Sequence, residues 1–511
     1  ETDDYTIQKD SRYYNPLSSA GPKSGSDAQT AKGFIEYGKL ISSTSLNYVH
    51  TFAHKHHLNV LAAYEIESYQ TDHASGEKSK LPSDKLTEPD NAAVLNSFKS
   101  ATQAYRMISY LSRLNYDYDD RYYIAGSYRR DGSSRLSPNN RWGNFWSVSG
   151  MWHLGNENFM KAVKPVLSDV KIRASYGVNG NQPGSYYGYK GLYSYGENYM
   201  EAAGSYESSQ PNDLLTWEKN YSLNLGIDLS FINRIFASLE YYNRDTKDLL
   251  YSLPISATTG FTSYLSNIGR LNNKGIEFEL RTLNVVSNDF NWTSVFNLSH
   301  NRNKIVSLNG LLDQTIEGTW FIHKVGLPYH TFYVKEFAGV DPQTGYAQYY
   351  LNTKNEDGSY NRELTTDADK AESIPYKTAT PKVSGGFTNI LNYKWIDLTF
   401  TLTYSLGGYS FDKLGTYIEN GTSSIYSSRY NLPAYMMNRW QNPGDQTDIP
   451  RFVYNESATS TNSSRYIHST DHLRLKNFTL GFTLPNQWTQ KLMIDKVLSL
   501  IHISEPTRLA L

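Results

Sequence analysis

Three histidines stand close together in the sequence, as His54, His56 and His57. Imidazole is a frequent metal ligand, so this group is the first candidate for chemistry. The histidines span a short turn between two alternating segments, and no carboxylate stands close to them in the sequence. A metal site needs fixed geometry and supporting partners. We therefore predict a solvated turn, no metal site and no cofactor, with a metal site as the alternative.

A second candidate is the segment NEDG, in which Asn355, Asp357 and Gly358 have part of the spacing of a calcium loop. Thr353 and Leu364 stand where such a loop needs its first and twelfth ligands. An Asp-Gly pair is also a common turn sequence. We predict a plain turn here, with calcium binding as the alternative.

Glu277 and Glu279 are two residues apart in an alternating segment, so they share one face of a strand. Paired carboxylates are the acids of glycosidases, but hydrolysis requires a defined separation of the two carboxyl groups. The sequence contains no GxSxG, HExxH or P-loop motif. We predict that both glutamates line a water-facing surface, that the chain has no catalytic residues and that it is not an enzyme.

Tyrosines recur among glycines between residues 180 and 214. Tyr187, Tyr189, Tyr193 and Tyr195 are the predicted substrate-binding residues of this loop, because aromatic rings can stack on sugar faces. Tyr199 belongs to the same series. The alternatives are that these rings pack the loop or meet a partner protein, since tyrosine is enriched at interfaces.

The elements that position these residues are strands with two unlike faces. From Tyr221 to Leu298 apolar and polar residues alternate, with short breaks at 232–234 and near Ser287 and a long polar passage at 245–273. Phe278 then belongs to the apolar face. Seven charged residues are predicted to face water on the other side: Asp228, Glu240, Arg244, Glu277, Glu279, Arg281 and Asp397.

The same rhythm of short turn and long loop continues along the chain, which we read as about 13 strands, with residues 1–39 as loop and one weak strand. The predicted long loops are 66–103, 131–141, 180–214, 246–273, 301–380 and 407–470. Long strands joined in this way are typical of a transmembrane antiparallel β-barrel, with short periplasmic turns and long extracellular loops. A soluble β-sandwich also alternates, and it remains the alternative architecture.

Composition supports a membrane boundary. The 511 residues include 43 Tyr, 9 Trp and 20 Phe, although the mean hydropathy is only -0.57. Many rings flank short turns, where an interfacial girdle is expected: Tyr116, Tyr118, Tyr122, Tyr123, Tyr241, Tyr242, Trp292, Tyr393 and Trp395. The net charge of -1 argues against nucleic acid as a partner. The chain has no cysteine, which excludes disulfides and thiolate metal sites.

Several phrases carry a family resemblance, and they follow in order: RRDGSSRLSPNNRWGNFWSVSGMWHL, VKIRASYGVNGNQ, NIGRLNNKGIEFEL, WTSVFNLSHNRNKI, GVDPQTG and LRLKNFTLGFTLP. From about Tyr105 to Asp495 the chain resembles the C-terminal barrel of SusC/RagA-type TonB-dependent transporters. The resemblance implies a 22-stranded barrel with an N-terminal plug in the outer membrane of a Gram-negative, Bacteroidetes-like bacterium. It also implies a SusD-like surface lipoprotein and the TonB complex as partners.

Residues 1–500 are accordingly interpreted as a partial barrel of roughly 13–14 strands. Against the family plan, we expect the signal peptide, TonB box, plug and first strands to be missing. The tail IHISEPTRLAL breaks the alternation, contains the strand-breaking Pro506 and resembles translated adapter sequence. Residues 501–511 are therefore interpreted as non-native, with a natural divergent terminus as the alternative.

The resemblance implies import of a nutrient across the outer membrane, with an oligosaccharide as the first cargo and an oligopeptide as the second. The rival from another class is a secreted all-β protein that binds or cleaves glycans. Packing of the apolar face separates the two hypotheses. If six residues of this face were packed against a second sheet, the barrel prediction would be wrong: Leu223, Leu225, Ile227, Ile276, Phe278 and Leu280.

Overall fold

The structure is a computed structural model, and it describes residues 2–14, 29–81, 88–200, 202–308, 315–317, 320–419, 432–452, 462–489, 497–503 and 507–509. The described chain is almost entirely β-structure, as predicted. Among these residues, none of the helices is both long and apolar enough to cross a membrane.

The strands in the first part of the chain are β1 Thr2–Tyr14, β2 Gln29–Phe52, β3 His56–Ser79, β4 Val94–Tyr118, β5 Tyr122–Ser133, β6 Trp142–His153, β7 Leu167–Asn181, β8 Leu192–Tyr195, β9 Ser205–Ser209, β10 Glu218–Phe231, β11 Ile235–Pro254, β12 Ser263–Val286 and β13 Phe290–Leu308. The remaining strands are β14 Thr315–Glu317, β15 Ile322–Lys324, β16 Thr331–Lys335, β17 Phe337–Val340, β18 Ala347–Tyr350, β19 Leu364–Thr365, β20 Ser373–Thr378, β21 Val383–Tyr393, β22 Ile396–Leu406, β23 Tyr409–Phe411, β24 Ile467–Ser469, β25 His472–Thr483, β26 Leu498–Ile503 and β27 Thr507–Leu509.

Helical segments are short. Two α-helical turns are α1 Gly415–Ile418 and α2 Asn486–Thr489. The described 3-10 turns are Pro89–Asn91, Leu154–Asn156, Asn158–Ala162, Ala257–Thr259, Ala368–Lys370, Ala434–Asn438 and Ser464–Tyr466.

One large sheet contains sixteen of the described strands, hydrogen-bonded in the order β1-β2-β3-β4-β5-β6-β7-β10-β11-β12-β13-β21-β22-β25-β26, with β27 also paired to β25. The register of the described pairs is antiparallel, for example in β3 and β4 or in β12 and β13. Sequential antiparallel neighbours are the arrangement that the alternation of short turns and longer connections predicts. Small two- and three-stranded sheets form within the longer connections.

Three short turns share one backbone form. Ala53 and His54, Asp119 and Asp120, and Ile232 and Asn233 have positive φ angles of 45–55°. In each turn the next N–H donates to the carbonyl of the last strand residue, at 3.1, 2.9 and 2.9 Å. These φ signs and bonds are those of type I′ turns, whose twist suits a hairpin. The short turn predicted at the histidines and the break predicted at 232–234 are confirmed.

Several strands are longer than the alternation indicates. Residues 1–39 were predicted as loop with one weak strand; the structure instead has β1 and the first part of β2 there, paired antiparallel. The loop predicted at 66–103 is also wrong over most of its length, since β3 continues to Ser79 and β4 begins at Val94. The loop predicted at 246–273 is also shorter than predicted, because β11 continues to Pro254 and β12 begins at Ser263.

The chain forms two compact units. The first comprises Glu1–Trp152, Ser175–Ser222 and Thr246–Ile268, and the second comprises His153–Ala174, Leu223–Asp245 and Gly269–Leu511. In the second unit, β26 and β27 both pair with β25. The interpretation of residues 501–511 as a non-native tail stays a prediction that sequencing of the genomic locus can check.

Candidate substrate-contacting surfaces

In the first unit, acidic and basic side chains of three neighbouring strands form a connected strip. Arg129 Nε donates to Asp131 Oδ1 at 2.7 Å, and its Nη2 donates to Glu65 Oε1 at 3.1 Å and Ser109 Oγ at 2.9 Å. Ser109 is the cross-strand partner of both Glu65 and Asp131, so their side chains point to one face. We call this the polar face of the first unit.

An aromatic cluster lies farther along this polar face. Tyr69 and Tyr105 are direct cross-strand partners whose ring centroids are 5.4 Å apart. Tyr186, from the 180–214 loop, packs against both rings at 6.2 and 5.8 Å. The Arg135 guanidinium carbon lies 4.0 Å from the Tyr105 centroid and 4.6 Å from the Tyr186 centroid. These are cation–π contacts that order the loop.

Tyr105 also donates its hydroxyl to Glu67. It stands 13 residues before the end of β4, which is farther from the turn than the roughly 9–11 residues of a tilted membrane strand. Burial and the bond to Glu67 raise the pKa of Tyr105 to about 12. The hydroxyl therefore stays a donor at neutral pH. Sequence reasoning missed this cluster because it placed Tyr69 in a loop.

The four predicted tyrosines divide into two pairs. Tyr189 packs against the buried Leu215 and its hydrophobic neighbours, and it lies 5.7 Å from the Lys190 ammonium. The Tyr187 hydroxyl accepts from the Ala104 N–H at 3.2 Å. These two rings contribute to the packing of the loop, and their predicted role in substrate binding stays a prediction.

Tyr193 and Tyr195 instead lie on the β8–β9 hairpin and are exposed, with 56% and 77% of their surface accessible. The Tyr193 hydroxyl donates to Glu207 Oε1 at 3.0 Å, and this bond raises the pKa of Tyr193. Tyr206 is the cross-strand partner of Ser194, so its exposed ring lies on the other face of the hairpin from Tyr193 and Tyr195. These three rings are available to a ligand.

The second unit has its own ion-paired surface. Arg173 Nη1 donates to Glu240 Oε2 at 2.8 Å and its Nε donates to Asp228 Oδ2 at 3.2 Å, while Ser238 Oγ donates to Asp228 Oδ1 at 2.6 Å. The guanidinium lies over Gly226, where a Cβ atom would stand 2.6 Å from its Cζ. A side chain at that position would push Arg173 away from both carboxylates.

Beside this group is an open cavity of about 270 Å³. Its polar lining includes Asp169, Lys171, Asp228, Ser238 and Glu279. His153 holds Asp169 through a 2.7 Å bond between Nε2 and Oδ1. Carboxylates, a hydroxyl and an ammonium group around an open cavity can exchange hydrogen bonds with a polar ligand.

The pairing register of β12 and β13 shows which side chains share a face. Glu277 lies opposite Ser299 and Glu279 opposite Asn297, whereas Phe278 lies opposite Leu298. Glutamates and phenylalanine therefore point to opposite faces, as predicted. We call the face of Ile276, Phe278 and Leu280 the apolar face of the second unit, and that of Glu277 and Glu279 its polar face.

None of the six residues chosen as a test is buried. Leu225 and Ile276 each expose 44% of their surface, and the other four are half-buried: Leu223, Ile227, Phe278 and Leu280. Side chains in the core of a β-sandwich are enclosed between sheets. This exposure favours the barrel over the sandwich.

Side-chain exposure agrees with the predicted aromatic girdle for only some of its members. Tyr122 and Trp292 are exposed, and Tyr122 stacks between Tyr118 and Trp152 with centroids 6.5 and 6.2 Å away. Tyr242, in contrast, is 8% exposed and donates to Asn301 Oδ1 at 2.9 Å. It follows Tyr241 directly in β11, and adjacent strand residues point to opposite faces. Tyr123 likewise follows Tyr122 directly in β5, so their rings point to opposite faces.

The histidine turn has carboxylate neighbours that the sequence does not reveal. His57 is the cross-strand partner of Asp117, with 4.0 Å between Nε2 and Oδ1. One ligand atom each from His57, Asp117 and Asp120 lie within 4.8 Å of one another. His56 instead shares a 2.7 Å hydrogen bond with the Tyr116 hydroxyl. The structure thus brings two carboxylates to His57, and the prediction that this turn binds no metal stays a prediction.

The second candidate site is a turn, as predicted. Asp357 Oδ1 accepts from the Ser359 N–H at 2.9 Å and from its hydroxyl at 2.6 Å, and these bonds lower the pKa of Asp357. Gly358 has a φ of +83°, which favours glycine. Asn355 closes the turn through its backbone bonds to Ser359 and Gly358.

Comparisons with known proteins agree with this geometry. The family described as "TonB dependent receptor-like, beta-barrel" matches residues 1–488. The TonB-dependent receptor P3 of Formosa agariphila is 31% identical over 490 residues, covering 91% of this chain and 47% of the relative. The TonB-dependent receptor SusC of Bacteroides thetaiotaomicron is 32% identical over 430 residues, covering 78% and 40% respectively.

The solved structure of the RagAB peptide transporter is also similar, with a TM-score of 0.83 at 26% sequence identity. The match covers 98% of this chain and 56% of that chain. The chain therefore spans about half the length of the proteins that it matches.

Proposed function

Because this chain belongs to the TonB-dependent receptor β-barrel family, we propose that it is part of an outer-membrane importer for an oligosaccharide. Its location is the outer membrane, and the family consists of transport receptors and not of enzymes. In the proposal, the exposed apolar face meets lipid and the ion-paired polar faces line the route of the cargo. The chain binds and moves a substrate without covalent chemistry.

The observation that supports a polar cargo route is the sorting of side chains between the two faces of β12 and β13. Glu277 and Glu279 share one face with serine and asparagine partners, and the other face carries exposed or half-buried apolar residues. A charge facing the lipid midplane costs about 2–4 kcal/mol. A charged face is therefore favoured where water and a hydrophilic cargo pass.

The proposed partners are a SusD-like surface lipoprotein and the TonB complex. Tyr193 and Tyr195 are the proposed contacts for cargo, because their exposed rings can stack on sugar faces. An oligopeptide is the second candidate, since RagAB is a peptide transporter. Hydrogen-bonding groups such as those around the 270 Å³ cavity suit either cargo.

Deletion of the full-length gene tests the proposal. The deletion strain and a complemented strain should be grown on a panel of single glycans and, separately, on oligopeptides as the limiting nutrient. We expect the deletion strain to lose growth on one glycan class and the complemented strain to regain it. Loss on peptides alone would replace the oligosaccharide by a peptide, and normal growth on every nutrient would contradict import.

Complementation with Tyr193→Ala/Tyr195→Ala tests the hairpin. We expect weaker uptake of the same cargo at unchanged receptor abundance, because both rings are exposed and support little packing. Tyr189→Ala is the matched control, since that ring packs in the loop and its removal should reduce stability. Full uptake by the hairpin variant would remove these tyrosines from the cargo site.

A further inference from the structure

The apolar face of the second unit becomes basic along its length. In β12 the alternate residues that share this face are Leu280, Phe278, Ile276 and Lys274. Their direct partners in β13 are, in the same order, Phe296, Leu298, His300 and Arg302. One step farther, Asn272 lies opposite Lys304. A single surface therefore changes from hydrocarbon to cationic between adjacent residue pairs.

The position of this change matches the expected thickness of the membrane. From Ile276 to the end of β12 at Val286 there are eleven residues, and from the start of β13 at Phe290 to Leu298 there are nine. A tilted strand crosses the hydrocarbon core in about 9–11 residues. Short turns of such proteins are periplasmic. The basic residues therefore stand at the extracellular boundary of the bilayer.

Three of these cations line a shallow cavity of about 200 Å³, and we call Lys274, Arg302 and Lys304 the basic cluster. The lining also contains Arg270 and Asp245, which pair with each other at 2.8 Å and so cancel in charge. In the part of the chain that the structure describes, no carboxylate lies within 4.0 Å of a cluster nitrogen. All three side chains are exposed.

We propose that the basic cluster binds the phosphate-bearing headgroup of a glycolipid in the outer leaflet of the outer membrane. Three neighbouring cations repel one another unless an anion lies between them. Arg302 can bind phosphate oxygens with two N–H groups, and the lysines supply compact charges beside it. The cluster shares its face with Ile276 and Phe278, so the anion has its acyl chains against that apolar surface.

A soluble anion or an anionic cargo fits this position less well. Cargo follows the polar face under the proposed function, and Glu277 and Glu279 lie on that face, opposite to the cluster. The lipid site rests on the outer-membrane location and not on the identity of the cargo. Its failure would therefore leave the import proposal untouched, and the growth test is independent of it.

Native mass spectrometry of the purified full-length receptor tests the proposal. The probes are bisphosphorylated lipid A, the same lipid without phosphates, phosphatidylethanolamine and inorganic phosphate. The test variant is Lys274→Gln/Arg302→Gln/Lys304→Gln. The matched control is Arg281→Gln, a cation of β12 on the other face, whose guanidinium lies 5.9 Å from the Phe236 ring centroid.

Each basic residue near an anionic membrane surface strengthens binding about fivefold. We therefore expect the triple variant to lose about a hundredfold in affinity for bisphosphorylated lipid A, while Arg281→Gln keeps it. Arg302→Lys should fall between them, because it retains the charge but not the bidentate geometry. The receptor should prefer the phosphorylated lipid to the dephosphorylated one and to inorganic phosphate.

Equal affinity of the triple variant and the unchanged receptor would overturn the proposal. So would equal binding of the lipid with and without phosphates, or a preference for inorganic phosphate over the lipid. Heat-modifiable electrophoretic mobility checks that each variant is folded. If the triple variant is unfolded, the single variants Lys274→Gln and Lys304→Gln carry the test, each with an expected fivefold loss.

Discussion

Gly275 offers a sharp test of the packing in the second unit. The ring of Tyr242 lies over this glycine, and an added Cβ would stand 2.6 Å from the Tyr242 hydroxyl oxygen and 2.7 Å from Cζ. The same Cβ would press against the carbonyl oxygen of His300. Gly275→Ala must therefore displace a buried ring, the strand pair or both.

The expected cost can be assembled from two effects. Overpacking of a well-packed site costs about 1–3 kcal/mol. Displacement of the ring also breaks the 2.9 Å bond from the Tyr242 hydroxyl to Asn301, which is worth about 1 kcal/mol. We expect Gly275→Ala to lower the free energy of unfolding by about 2–4 kcal/mol. A Cβ added at Gly126 would have its nearest neighbour 3.9 Å away, so Gly126→Ala should change the free energy of unfolding by less than about 1 kcal/mol.

Denaturant unfolding of the full-length receptor in lipid vesicles, followed by tryptophan fluorescence, measures both variants. Equal unfolding midpoints for Gly275→Ala and Gly126→Ala would refute the reasoning. The double variant Gly275→Ala/Tyr242→Ala identifies the cause. If the ring is the obstacle, the two substitutions should be non-additive by at least about 0.5 kcal/mol. Strict additivity would assign the cost to the backbone contact alone.

Three further predictions concern single side chains. Ile232 is 51% exposed and has a φ of +45°, a backbone conformation that is strained for a residue with a Cβ. Ile232→Gly should therefore raise the free energy of unfolding by about 1 kcal/mol in the same assay. An unchanged free energy would contradict strain in this turn. Gly345 has a φ of +74°, and Trp440 leaves no room for a Cβ at this position. Gly345→Ala should therefore increase cleavage of the surrounding loop in limited proteolysis. An unchanged cleavage pattern would contradict this prediction. The Arg362 guanidinium, 2.5 Å from Glu336, lowers the pKa of that carboxyl, so the ion pair stabilises the fold above the ordinary pKa of Glu336 and this stabilisation is lost as pH falls. Arg362→Gln should therefore raise the pKa of Glu336 in an NMR titration, and an identical titration curve would exclude this coupling.

The local features of the fold were predictable because they depend on neighbouring residues. Alternation in β10 and β11 and the turn residues Asp119, Asp120 and Asn233 indicate hairpins directly. The lengths of β3 and β4 were not predictable. Residues 68–79 are polar on both faces, as expected for a strand segment that has water on both sides. Without an apolar face, hydropathy has no period of two.

The candidate site was harder to predict than the fold. Tyr189 and Tyr193 belong to the same tyrosine-rich loop, yet one packs against Leu215 and the other is exposed. That difference depends on the path of the loop, which residue spacing does not encode. Long-range pairing likewise brings Tyr105 to Tyr69 and Asp117 to His57. Such contacts follow from strand register, whereas the sequence only shows that the residues exist.

The shared form of the three short turns restricts how this protein can change in length. Each turn fixes the register of its hairpin, and a shift of one residue would move every side chain of a strand to the opposite face. An insertion after Ile232 would thus turn apolar positions toward water and Asp228 or Glu240 toward lipid. Insertions in the connections at the other ends of the strands leave the register of these turns intact. A peptide tag or a new binding segment should therefore be introduced in the connection between β11 and β12 and not at the type I′ turns.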